Sequence, residues 1–254
     1  MRQTTTVRPE ARPTPVRPAG WWYDGLLLAA LVALTVALAT GHLLGLDRAV
    51  ADWADEHRPT AAYWVAFVLN FLGQGTPLTL IAAGLGVLLA VRLRSVRPVL
   101  PPVAAFLLTN LTIGPLKLWT DRAAPSASVK PPYLPEADTI QLFHTAGRYG
   151  MSYPSGHVAN AIVWYGIIAL LLGPLLATLG GRRLPDRLLT AVRVLPPLIV
   201  LCTTTYLGWH WLTDSVAGLL LGLLLDRLLR RVPWDTLPLP GRLRRWDRPF
   251  TSYP

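Results

Sequence analysis

The sequence predicts an all-α, polytopic membrane protein with six transmembrane helices and both termini in the cytoplasm. Three observations predict it. Of the 254 residues, 52% are hydrophobic and only 15% are charged, against about a quarter charged in a typical soluble domain. The apolar residues gather in long uncharged runs, which excludes a disordered regulator. The surplus of basic residues, a net charge of +10, falls mainly in alternate connecting segments. Because that charge is scattered between apolar runs, nucleic acid is not expected as a partner. Cys202 is the single cysteine, so no internal disulfide and no thiolate metal cluster can form.

Taken in order, residues 1–20 are rich in Arg and Pro and lack apolar periodicity, as in an unstructured cytoplasmic tail. Residues 25–46 carry no Asp, Glu, Lys or Arg, and 22 residues suffice to cross a hydrocarbon core of ~30 Å at about 1.5 Å per residue. This run reads as an uncleaved anchor rather than a secretory signal. Residues 63–72 are apolar but too short to cross, and are expected as an interfacial helix ended by Gly73-Gln74-Gly75. Four more spans follow at 76–91, 98–119, 157–179 and 194–207, the last with a kink expected at Pro196-Pro197, and the sixth runs from 209 to 229. With the N-terminus inside, 18 of the 24 Lys and Arg residues fall on the cytoplasmic side. Residues 232–254 read as a basic, aromatic cytoplasmic tail resting on anionic headgroups. The division expected is a tail at 1–20, a membrane domain at 21–231 and a tail at 232–254, in the cytoplasmic membrane. Trp21, Trp22, Trp119, Trp209, Trp211 and Trp234 read as interfacial anchors.

Three polar clusters are expected to meet at the outer face. Lys117 ends the third span and is followed by Arg122. Tyr153-Pro154-Ser155-Gly156-His157 opens the fourth, with Ser155 placed as an N-cap and the free N–H groups of the first turn suited to a phosphate. His157 stands beside that turn and could protonate a leaving oxygen. His210 and Asp214 open the sixth span at i, i+4, a spacing that puts both on one helix face. An aspartate on one ring nitrogen makes the other a better nucleophile. Residues 121–153 form a Pro-rich connection long enough to act as a lid.

Lys117, Pro154-Ser155-Gly156-His157 and His210 with Asp214 together resemble the three signature blocks of the type-2 phosphatidic acid phosphatase superfamily, integral-membrane lipid phosphatases. The resemblance runs from about residue 98 to 229. It implies a phosphohistidine at His210, with Asp214 orienting that ring and His157 as the acid. It also implies that Lys117, Ser155 and the Gly156 N–H bind phosphate, and that neither a metal nor another cofactor is needed. Where the family carries arginines, this chain has Ala124 before Pro125 and Thr204 after Thr203. Arg122 and Arg148 are the local substitutes for those phosphate clamps.

The function expected is hydrolysis of a lipid phosphomonoester or diphosphate at the outer face, the substrate arriving sideways from the bilayer. Polyprenyl and phosphatidate-like lipids both fit, the polyprenyl class being preferred. A transferase using an alcohol acceptor and a non-catalytic lipid-phosphate binder are the alternatives. The oligomeric state is left open.

Overall fold

The computed structural model describes residues 18, 20–125, 140–143, 150–180 and 184–251. Among them the regular structure is helical: α1 (Trp22–Ala39), α2 (Leu44–Glu56), α3 (Thr60–Asn70), α4 (Gly75–Leu93), α5 (Leu100–Thr120), α6 (Gly156–Thr178), α7 (Asp186–Tyr206) and α8 (Leu212–Arg231). Five of these, α1, α4, α5, α6 and α7, are long and apolar enough to cross a membrane. The helices α1, α4, α5 and α7 turn leucines and valines such as Val32, Leu80, Leu111 and Leu195 outward. In water that surface would be a liability, and against hydrocarbon it costs nothing. The chain is a multi-pass membrane protein.

Several boundaries differ from those expected. The first span stops at Ala39, because Gly41 takes a left-handed conformation at φ +81°. The amides of Gly41 and His42 then close back on Leu38 O (3.1 Å) and Ala37 O (2.8 Å), a Schellman stop. The polar helix α2 begins five residues after Ala39, at Leu44, and is not among the expected elements. The short apolar helix is present as α3, extended by a 3-10 turn over Phe71–Gly73. The fifth expected span is α7, which starts at Asp186, earlier than its apolar run, and continues through Pro196-Pro197.

The central helix is α6, which packs against α4, α7 and α8, while α1 packs along α8. Its contact with α8 is unusually close. A Cβ on Gly218 would lie 2.5 Å from Ser155 O, and one on Gly222 would lie 3.0 Å from Ala159 Cα. Two glycines one turn apart therefore let the backbones meet, as small residues do in membrane bundles. That approach brings the start of α6 against the start of α8.

The opposite end of the bundle is tied by ion pairs. Asp24 of α1 holds Arg227 (2.7 Å) and Arg231 of α8, and Asp226 holds Arg193 (3.2 Å) and Arg230 (2.8 Å). Residues 232–251, expected as a separate tail, instead fold back on the α4–α5 turn. Buried Arg97 donates to Trp234 O (2.6 Å) and Leu237 O (3.0 Å), and Phe250 is buried in the main core. Expected as an interfacial anchor, Trp234 is buried as well.

Candidate active site

The end of α5, the start of α6 and the turn between α7 and α8 meet at one end of the bundle, around a cavity of about 490 Å³. Lys117, Gly156, His157 and His210 line it, joined by Ser152 and Asn160. The two imidazoles face each other, with His157 Nδ1 3.5 Å from His210 Nε2. The three clusters therefore converge as expected, and local structure explains how each arrives.

On α6, Ser155 is the N-cap, its hydroxyl accepting from Val158 N (3.5 Å). Its own amide donates to Asp214 O (2.9 Å), which fixes the start of α6 to α8. The Ser155 side chain is fully buried and lies outside the cavity wall, whereas Gly156 forms part of that wall. In this geometry the Ser155 hydroxyl caps α6. Lys117 reaches the cavity and donates to Met151 O.

His210 sits before α8 and not on it, since the helix begins at Leu212 with Trp211 as its N-cap. The amides of Trp209 (3.1 Å) and His210 (3.3 Å) both donate to Thr204 O. His210 Nδ1 then stands 3.3 Å from Ser152 Oγ and 3.7 Å from Asp214 Oδ2. The Ser152 hydroxyl donates to the same Asp214 oxygen and bridges the pair. The expected His210–Asp214 partnership is present, built by a turn and a serine rather than by a shared helix face.

Arg122 departs most from expectation. It is completely buried, and its guanidinium serves protein acceptors: Asp214 Oδ1 (2.6 Å), Asp47 Oδ2 (2.6 Å), Thr213 Oγ1 (2.8 Å) and Ile140 O (2.7 Å). It does not line the cavity; Ala124 does. Asp121, left-handed at φ +42°, ends α5 and turns the chain so that Arg122 points behind the site. Burial works against its charge, but Asp214 and Asp47 outweigh that and raise its pKa above the ordinary arginine value. Geometrically, Arg122 is a support for Asp214 and not a ligand for phosphate. The other arginine candidate, Arg148, lies outside the described residues, as does most of the connection expected to form a lid.

Sequence reasoning missed several members of this site. Asp47 accepts from Thr213 N (3.0 Å) and Thr213 Oγ1 (2.6 Å), closing a buried network of one arginine and two aspartates. Nothing local distinguishes it from its exposed neighbours Asp52 and Asp55. Ser152 had no signal either. Asn160, three residues after His157 and so on the same face of α6, was legible from helical spacing. Trp209 and Trp211, read as interfacial anchors, belong to the site: the Trp209 ring lies 5.6 Å from that of His157, and Trp211 Nε1 donates to Ala123 O (2.7 Å). Thr204 is buried with its hydroxyl unpartnered. Among the described residues, no three His, Cys, Asp or Glu side chains group as metal ligands.

No curated protein matches the chain. One similar solved structure is described as the first transmembrane PAP2 type phosphatidylglycerolphosphate phosphatase from Bacillus subtilis. The two share 23% identity and a TM-score of 0.64, the match covering 82% of this chain and 94% of that one. At that identity the likeness establishes the fold alone. The family model of the PAP2 superfamily matches residues 98–237, more than half of the chain and all three clusters. The chain belongs to the PAP2 superfamily.

Proposed function

We propose that the protein is a lipid phosphatase that works through a phosphohistidine on His210. Family membership supports a phosphatase in general. The observation that carries the finer reading is the facing of His157 Nδ1 and His210 Nε2 beside Lys117. In this reading Asp214 and Ser152 hold the proton on His210 Nδ1, leaving the Nε2 lone pair free to attack phosphorus. The bond from phosphorus to the lipid oxygen breaks, and His157 protonates the departing oxygen. Water then attacks the phosphohistidine, giving its proton to His157 and releasing inorganic phosphate. Lys117 and the Gly156 N–H neutralise the non-bridging oxygens, with Arg148 as a further candidate. At 3.5 Å the two ring nitrogens stand too close to hold a phosphorus between them. His157 therefore turns out over the cavity as substrate binds.

The chemistry proposed uses no metal. Phosphate release from a short-chain lipid phosphate in detergent is expected to persist in excess EDTA. Abolition by EDTA would remove the metal-free mechanism, and tight binding without turnover would leave a lipid-phosphate binder. Transfer of the phosphoryl group to an added alcohol would favour the transferase.

For topology, α8 is counted as the sixth span. Its 20 residues reach about 30 Å, and apart from Asp214 at the site its charges, Asp226, Arg227, Arg230 and Arg231, cluster at the end away from the site. Both termini then lie in the cytoplasm and the site faces the other side, as the basic-residue distribution supports. Glu56 is exposed at the end of α2, and the neighbouring Arg58 donates to Tyr206 O at the site end of α7 (2.7 Å). A Glu56→Cys variant in a Cys202→Ala background is expected to react with an impermeant thiol reagent in intact cells. Reaction only after lysis would invert the orientation.

A further inference from the structure

At the end of the bundle away from the histidines, a small cavity of about 150 Å³ lies between α6, α7 and α8. Arg193, Asp226 and Arg230 line it beside the aliphatic Ile167, Leu170, Leu189 and Leu229. Asp226 follows Asp214 by twelve residues on α8, which sets this space about 18 Å from the active site along the helix. Arg230 is the last residue but one of α8, so the cavity stands at the level of the headgroups.

Its charges are arranged for an anion. Arg193 and Arg230 both turn Nη2 to the same carboxylate oxygen, Asp226 Oδ2, at 3.2 Å and 2.8 Å. The other oxygen, Oδ1, is lodged against α6, where a Cβ on Gly166 would lie 2.3 Å from it. Buried Asp226 thus holds two guanidiniums side by side while neutralising only one of them. Arg230 Nε is buried and has no hydrogen-bond partner. Counting the whole of this end, Arg193, Arg227, Arg230 and Arg231 share two carboxylates, Asp24 and Asp226, a surplus of two positive charges. Adjacent guanidinium forks are suited to the oxygens of a phosphate. The volume equals about five water molecules at ~30 Å³ each, room for one such group. The aliphatic wall offers nothing to a free anion, but suits the glycerol and upper chain of a phospholipid. A choline would bring a further cation against the arginines, so the headgroup that fits is net anionic. Basic pockets between helices at a membrane face bind headgroups of this kind.

We infer that this cavity binds the phosphodiester of an anionic phospholipid from the leaflet opposite the active site, cytoplasmic in the proposed topology. The lipid bridges α7 and α8 through Arg193 and Arg230, as a structural ligand and not a substrate. This goes beyond the phosphatase reading and does not depend on it.

The test titrates the full chain in a neutral detergent with dioleoylphosphatidylglycerol and with dioleoylphosphatidylcholine, measuring Kd for each. The anionic lipid is expected to bind at least about 10-fold more tightly. Arg193→Gln, which leaves Arg230 to pair with Asp226, should weaken that binding by at least about 10-fold. Leu189→Trp keeps every charge and fills the space, and should weaken it similarly; if Arg193→Gln does not fold, this variant alone decides. Lys117→Ala should leave Kd within about 2-fold, because the histidine cavity is not the place of binding. Equal Kd values for the two lipids, or an undiminished affinity in Leu189→Trp, would overturn the site. So would loss of binding in Lys117→Ala, which would place the lipid beside the histidines. Displacement of the lipid by excess inorganic phosphate would show that a free anion suffices, and would overturn it too.

Discussion

Replacing Arg122 by alanine is expected to lower kcat/KM by at least ~10-fold, about 1.4 kcal/mol of transition-state stabilisation, with the loss falling on kcat. The reason is where its charge is spent. Arg122, Asp47 and Asp214 are all fully buried, and the two carboxylates share the one guanidinium. Removing it leaves two neighbouring carboxylates without a cation, and breaking a buried ion pair costs about 3–5 kcal/mol of stability. Asp214 can then relax only by taking up a proton or by shifting, and either change releases Nδ1 of His210. A lower melting temperature in detergent should accompany the fall in kcat. The two roles for Arg122 separate in the inhibition constant of inorganic phosphate. A supporting residue leaves it within about 2-fold, whereas loss of a bidentate phosphate contact raises it well beyond that. Arg122→Lys should rescue little, since one ammonium cannot span Asp47, Asp214 and the Ile140 carbonyl together. Asp47→Asn, far from the cavity wall, should reproduce part of the kcat loss.

The second large effect is at His210. Because the proposed reaction makes and breaks a bond to this ring, His210→Ala is expected to remove about four orders of magnitude from kcat, ~5 kcal/mol. Substrate affinity should change much less, since Lys117 and the Gly156 amide remain to hold the anion. His157→Ala should cost about 10²–10⁴-fold as the loss of an acid. A substrate with a better leaving group should recover much of that deficit. No such recovery is expected for His210→Ala, and this difference assigns the two imidazoles their separate tasks.

What could be read from the sequence follows physical constraints of different range. The spans were legible because hydrocarbon demands apolar length, a demand met residue by residue along α4, α5 and α6. Ser155 was legible as a cap because capping is a contact across three residues. The meeting of Lys117, His157 and His210 was legible only because all three motifs lie at helix ends on one side. By contrast α2 has no long apolar run, and its Asp47 acquires meaning only from Arg122 and Thr213, distant in the chain. Nearness in sequence to Ala124 makes Arg122 the expected clamp, but the turn at Asp121 sends it to the far side of Asp214. The polar wall of a cavity between α4, α5 and α6 was equally hidden. Thr76 and Thr79, Thr109 and Asn110, and Asn160 lie in three separate apolar runs, and only the packing of α4, α5 and α6 gathers them.

The central claim is a covalent bond between His210 and phosphorus. Its most direct test is rapid quenching of the wild-type chain during turnover of a radiolabelled lipid phosphate, followed by assay of label on the protein. The expected result is label that survives base and is lost in acid, maps to the peptide carrying His210 and is absent from His210→Ala. Multiple turnovers with no label trapped at any quench time, or label that persists in His210→Ala, would contradict it.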